Sequence, residues 1–260
     1  MNQNFARLAF AFLLVLSTAA TGHSDDFPAD QVQRVVTEGI QAGKCPGAVI
    51  AIGFDGQTVF QDAFGNRQVE PTKVPMTEDT IFDLASLTKP IATATSVMIL
   101  ADQGKLSIED PVSQSLPNFA SHDKETVTIR HLLLHTSGLI PDNGMSDYKG
   151  THAESIENLM NQKLRSPPGT RFRYSDVGFM VLGELVEQVS GKPLNEFAKQ
   201  NIFEPLKMTD TGFRSIGQDD ERCATTQQRE DHWMRGEVHD PRSYALGGVA
   251  GHAGLFSTAE

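Results

Sequence analysis

The spacing of apolar residues changes period several times along this chain. Between Pro28 and Gly43, Val32, Val35, Val36 and Ile40 recur at three- and four-residue intervals, which predicts a short amphipathic helix over 28–43 with a glycine stop. The period then falls to two. Residues 48–53 and 58–64 alternate as β-strands on either side of Asp55-Gly56, a dipeptide suited to a tight hairpin turn. Two strands are marginally stable in water, so further sheet is expected from elsewhere in the protein. From Ser86 the pattern is mostly helical, with Ile91, Thr95, Met98, Ile99 and Asp102 along one side or its flank and Gly104 as the stop. Residues 153–164, 179–189 and 194–202 repeat that spacing, separated by Pro167-Pro168-Gly169, Gly191 and Pro205. Ser257-Thr258-Ala259-Glu260 reads as the opening of a capped helix. With the partnerless hairpin, it creates the expectation that the chain is a C-terminally truncated piece of a longer protein.

The start of the chain follows another rule. Arg7 precedes an unbroken apolar run over 8–16, followed by Ser17, Thr18, Ala19, Ala20, Thr21 and Gly22. This layout predicts a signal peptide over 1–22, since the run falls short of the roughly 20 residues needed to span a bilayer. A secreted or periplasmic location follows, with no stable membrane span after signal removal and one domain over 23–260. A hydrophobic content of 39% suits an ordinary globular domain. The net charge of −11 repels nucleic acid, and there is neither a basic run nor a glycine-rich phosphate loop to suggest a nucleotide partner. Two cysteines, Cys45 and Cys223, could form one bridge in an oxidising compartment; their spacing does not decide it, and alone they cannot make a metal site.

The chemistry centres on Asp83-Leu84-Ala85-Ser86-Leu87-Thr88-Lys89-Pro90. A serine and a lysine three residues apart at a helix start share one face. A serine hydroxyl needs a neighbour to take its proton, which a close, partly desolvated lysine can do. Pro90 is tolerated in the first turn, where backbone N–H groups lack intrahelical partners. The pattern alone is equally that of a capping serine and a solvated lysine. A second stretch, Pro168-Gly169-Thr170-Arg171-Phe172-Arg173-Tyr174-Ser175-Asp176-Val177-Gly178-Phe179, delivers a tyrosine from a turn just ahead of an apolar helix. Beside a lysine ammonium a phenol loses its proton more easily, so Tyr174 can act as base or relay; the alternative is a packing tyrosine with a bonded hydroxyl.

Four blocks in order carry a resemblance: Ser86-Leu87-Thr88-Lys89; Ile129-Arg130-His131-Leu132-Leu133-Leu134-His135-Thr136-Ser137-Gly138-Leu139; Tyr174-Ser175-Asp176; and Gly247-Gly248-Val249-Ala250-Gly251-His252-Ala253-Gly254-Leu255-Phe256-Ser257-Thr258-Ala259. From about Gly47 onward the chain resembles the β-lactamase-related serine hydrolases, which include class C β-lactamases, DD-carboxypeptidases, DD-peptidases and esterases with a penicillin-binding-protein fold. The resemblance implies an α/β (α+β) fold, with an antiparallel sheet flanked by helices, a mostly helical region and the site between them; the C-terminal strands are expected to lie beyond the chain. It implies Ser86 as the acylated nucleophile, Lys89 as its partner, Tyr174 as general acid or base, and the Ser86 N–H as half of an oxyanion hole. Two departures matter. Asp176 stands where that family usually has asparagine; an acid there can pair with Lys89 and would repel a substrate carboxylate. The usual third motif is expected beyond the chain end, although His252-Ala253-Gly254 spells a similar triplet, so Asp176 and His252 are the candidate substrate-binding residues.

Other candidates carry less. His131 and His135 lack the intervening acid of a zinc-peptidase helix and are read as structural, so no metal site is expected. Glu237-Val238-His239-Asp240 reads as a surface turn or as a lip of the cleft. The expected activity is cofactor-free acyl transfer to water from an ester, amide or β-lactam, with a small molecule or cell-wall peptide as substrate. The alternative is a non-catalytic penicillin-binding-like module that holds wall fragments or peptides.

Overall fold

The computed structural model of the chain describes residues 27–214 and 220–260. The 1–22 signal-peptide expectation lies outside the described residues. Helix α1, Ala29–Gln41, is followed by strands β1, Gly47–Phe54, and β2, Gln57–Gln68, which pair antiparallel. Asp55 and Gly56 have φ of 49° and 74°, the two positive values that a tight primed hairpin turn requires. Strand β3, Val74–Pro75, lies on the outer side of β2, giving the order β1-β2-β3.

A second antiparallel sheet frames the site. Its outer strands are β4, Phe82–Asp83, and β5, Gly212–Phe213, and its centre is the strand near the chain end, β8, Leu255–Ser257. Residues 257–260 therefore do not open a helix: Ser257 pairs with Phe82 in the sheet, and 258–260 take no regular structure. The helical region comprises α2, Thr95–Asp102; α3, Val112–Ser115; α4, Ile129–Leu133; α5, His152–Met160; α6, Asp176–Ser190; and α7, Leu194–Ala198. Strands β6, Thr225–Arg229, and β7, His232–Arg235, form a separate hairpin ahead of the short helix α8, Pro241–Ala245.

Helix α6 is the axis of the core. Val177, Phe179, Met180, Val181, Leu182, Leu185 and Val186 are all buried, so it is apolar nearly all round and needs neighbours on every side. It packs against α2, α4, α5 and α7. Full burial of each such side chain contributes about 1.5–3 kcal/mol relative to exposure. Its start is set by Ser175, whose Oγ accepts the Gly178 N–H at 3.0 Å and donates to the Ile140 carbonyl at 2.6 Å. Asp176 thereby becomes the first helical residue.

No disulfide joins Cys45 and Cys223. Cys45 is exposed, whereas Cys223 is buried with Ile81, Val238 and Phe256. No helix among the described residues is long and apolar enough to cross a membrane.

Candidate active site

Strand β4 ends at Asp83, and the chain turns sharply through Ala85, which adopts φ of 45°. A left-handed alanine costs roughly 1–2 kcal/mol, so the turn must be held from outside. Asp83 holds it, accepting the Ala85 N–H at 2.8 Å on Oδ1 and the His239 N–H at 2.7 Å on Oδ2. Burial pushes the Asp83 carboxyl up, while the two N–H donors pull it down. A short 3₁₀ turn, Ala85–Leu87, leads into a π-helical turn, Lys89–Ala94, before α2 begins. Ser86 is left exposed above a buried Lys89.

Lys89 is 3% exposed, and polar partners hold its ammonium. Its Nζ donates to Ser86 Oγ at 3.0 Å and to the His252 carbonyl at 3.1 Å. It also lies 2.6 Å from Asp176 Oδ1, in an ion pair whose angle is not that of a directed hydrogen bond. Three residues from different parts of the chain thus meet at one ammonium group. The spacing of Ser86 and Lys89 set only one of those meetings.

Tyr174 reaches the same place by its ring. The Lys89 Nζ stands 4.8 Å from the ring centroid, a cation–π contact, and among the described residues the phenol hydrogen-bonds to neither Ser86 nor Lys89. The ring lies against His135, centroid to centroid 4.5 Å. His135 is a site residue that sequence reasoning set aside. Its Nδ1 accepts the Ser175 N–H at 3.1 Å, which fixes the neutral acceptor form of that nitrogen. Burial and the Lys89 charge push its pKa down, against the pull of Asp176. His131 instead belongs to the α4 cap, where its Nδ1 accepts the Thr128 N–H in return for the bond from its own N–H to the Thr128 hydroxyl.

His252 does not line an open surface. It is 1% exposed, its Nε2 lies 2.8 Å from Asp240 Oδ1, and residues 252–254 precede the strand. What it presents to the site is its carbonyl. The approach is close because Gly251 is pressed onto α6: a Cβ there would stand 1.9 Å from the Phe179 carbonyl oxygen and 2.9 Å from the Gly183 nitrogen. Three bonds then stitch this segment to the lysine helix: Thr93 Oγ1 to the Gly251 carbonyl at 2.7 Å, Lys89 to His252, and the Leu255 N–H to Thr88 Oγ1 at 3.1 Å.

Acidic groups collect beside Lys89. Burial raises the Asp142 carboxyl against the pull of Arg242, and the Asp176 charge raises it further. Asp240 goes the other way: although burial opposes it, the His252 bond and charge and the backbone N–H groups of Ser243 and Arg242 hold it at about 2. Ligand atoms of Asp176, Asp240 and His252 lie within 4.8 Å of one another. Those donors are already engaged within the protein, Asp176 by the Lys89 ammonium and Asp240 Oδ1 by three N–H groups. Asp142 lies outside every block read from the sequence, His135 is read there as structural, and Asp240 appears only in the 237–240 cluster, because only folding brings these groups to the neighbourhood of Asp176 and Lys89.

Comparison with known proteins places the chain in a family. The family model described as Beta-lactamase matches residues 32–260. An N-acetylmuramyl-L-alanine amidase from Bacillus subtilis (strain 168) is 32% identical over 88% of this chain and 60% of its own. A protein of Escherichia coli (strain K12) named "Putative D-alanyl-D-alanine carboxypeptidase" is 31% identical, with the same shares covered. Among solved structures, the octameric penicillin-binding protein homologue from Pyrococcus abyssi superposes with a TM-score of 0.73 at 30% identity, over 89% of this chain and 54% of that one. The chain thus spans about three-fifths of the length of these curated relatives. An exposed serine over a buried lysine, in a chain matched from residue 32 to its last, makes this protein a member of the β-lactamase family, with the β-lactamase/transpeptidase-like fold.

Proposed function

We propose that the chain is a serine hydrolase that works through an acyl-enzyme on Ser86. The observation that carries this reading is the 3.0 Å bond from Lys89 Nζ to Ser86 Oγ, with the same nitrogen 2.6 Å from Asp176. At rest Lys89 donates to the serine. For attack, Nζ passes one proton to the Asp176 carboxylate and takes the proton of Ser86, so that the oxygen adds to a carbonyl carbon as its O–H bond breaks. Collapse of the tetrahedral intermediate expels the leaving group, which takes that proton from Lys89; the neutral amine then takes a proton from water as its oxygen adds to the acyl carbon, the bond from that carbon to Ser86 Oγ breaks, Oγ takes the proton from Lys89, and Asp176 returns its own proton to the amine. The Ser86 N–H supplies one oxyanion donor, and Tyr174, with its ring already against Nζ, swings its hydroxyl into the relay.

The substrate is an ester, amide or β-lactam, DD-carboxypeptidase-like or β-lactamase-like. Relatives named for N-acetylmuramyl-L-alanine and D-alanyl-D-alanine bonds support an amide of the cell-wall peptide kind. Export supports it too, since Arg7 and the apolar run over 8–16 have the layout of a signal peptide. The test is labelling of the full chain with a fluorophosphonate and with a fluorescent penicillin, followed by mass mapping. An adduct on Ser86, lost in Ser86→Ala, is the expected result. Silence toward both reagents with retained binding of wall fragments would refute the enzyme and leave the binding module.

A further inference from the structure

Residues 237–240, which the sequence leaves as a turn or a cleft lip, are partly exposed and tied to the rest of the fold by several bonds. Val238 is buried against Ile81, Cys223 and Phe256. Arg229 pins the segment from outside: it pairs with Glu237, donates through Nη2 to the carbonyls of Val238 at 3.1 Å and His239 at 3.2 Å, and lies 3.9 Å from the centroid of the Tyr244 ring.

From this anchored stretch two bonds run to the two halves of the site. The His239 N–H donates to Asp83 Oδ2, and the other oxygen of that carboxylate holds the left-handed turn at Ala85, one residue before the nucleophile. Asp240 Oδ1 accepts the N–H groups of Arg242 and Ser243 at 2.9 and 2.8 Å and meets His252 Nε2 at 2.8 Å; the carbonyl of that histidine receives Lys89. His239 therefore reaches the Ser86 turn through Asp83, and its neighbour Asp240 reaches Lys89 through His252.

We infer that residues 237–240 form a brace that keeps the nucleophile and the lysine in register, with Asp83 and Asp240 as its positioning residues. This rests on the serine-hydrolase reading, for which register between Ser86 Oγ and Lys89 Nζ is what proton transfer needs. A displacement of about 1 Å in such a pair can cost on the order of a hundredfold in rate. The bonding suits a brace, because each carboxylate accepts two backbone N–H groups, which resist its rotation away from its partners.

The experiment measures acylation of Ser86 by a fluorophosphonate in the full chain, resolved into the maximal rate and the half-saturating concentration. It compares wild type with Asp83→Asn, Asp240→Asn, the double variant and His252→Gln. Asn at 83 turns one acceptor into a donor facing a backbone N–H, while Asn at 240 keeps the helix cap and loses the charge. Each single variant is expected to lower the maximal rate about tenfold, with half-saturation unchanged, and the double variant about twentyfold, short of the hundredfold that independent effects would give. Single variants within twofold of wild type, a loss confined to half-saturation, or a multiplicative double variant would each overturn the brace. If either acid proves necessary for folding, His252→Gln decides: it alters only the imidazole contact to Asp240 Oδ1, leaves the two backbone N–H bonds of the α8 cap and both Asp83 bonds in place, is expected about threefold slower, and a wild-type rate overturns the inference. Should wild type itself resist acylation, the hydrolase reading fails on that result alone. The brace is then read from the ¹³Cε resonance of Lys89, which is expected to move in Asp240→Asn; an unmoved resonance overturns it.

Discussion

Replacing Lys89 by methionine, alone and together with Asp176→Asn, tests whether the site is built on the ion pair. At 2.6 Å and an effective dielectric near 20, the attraction is about 6 kcal/mol, most of which offsets the desolvation of two charges. Breaking a buried pair by removing one partner typically costs about 3–5 kcal/mol. Here the Asp176 side chain is 19% exposed and can regain some water, so Lys89→Met should fall at the low end, about 3 kcal/mol. Asp176→Asn leaves the ammonium with Ser86 Oγ and the His252 carbonyl as acceptors and should cost about 2 kcal/mol. The double variant has no stranded charge and should lose about 3 kcal/mol, not the sum, which makes the coupling about 2 kcal/mol. Urea unfolding at pH 7, read from the four midpoints at a common slope, measures it. A double variant that loses the full sum would show that the two groups do not interact in solution, and the proposed proton path from Ser86 through Lys89 to Asp176 would fall with it.

Two further outcomes follow from the same packing. Gly251→Ala places a Cβ 1.9 Å from a backbone oxygen of α6 and should destabilise by about 3 kcal/mol, lowering the melting temperature by roughly 6–12 °C; a melt within about 2 °C of wild type would refute the close crossing. Glu184, pushed up to about 7 by burial and by the neighbouring Glu187 charge, binds a proton more tightly folded than unfolded. The folded state is therefore favoured below the ordinary glutamate range and loses about 3 kcal/mol as pH rises through about 7. Glu184→Gln should remove that slope, and equal pH dependence of melting in the two proteins between about pH 5 and 8 would contradict it.

Much of the local structure was legible because it depends on neighbours in the chain. The hairpin turn needs two residues tolerant of positive φ, and Asp55-Gly56 supplies them. The α6 start follows from Ser175 and from the apolar run behind it, and that places Tyr174 and Asp176 on either side of a cap. The expected single helix from Ser86 onward is in fact a 3₁₀ turn, a π turn and then α2. Periodicity reports which residues are apolar, not how the backbone is wound, and the bonds from Thr88, Lys89 and Thr93 to residues 251–255 are made in the irregular stretch.

Read without a fold, the residues place a serine three positions before a lysine, and a tyrosine just ahead of an apolar helix that an acid opens. What surrounds the amine came from folding. It brought Asp176 to the ammonium, turned the Tyr174 ring and not its hydroxyl toward it, buried His252 against Asp240 and stacked His135 on the tyrosine. The difference is one of range. Helix faces and turns are set within a few residues, whereas Lys89 is held by a carboxylate 87 positions away and by a carbonyl 163 positions away, the latter carried on a segment that Gly251 lets pack directly against α6.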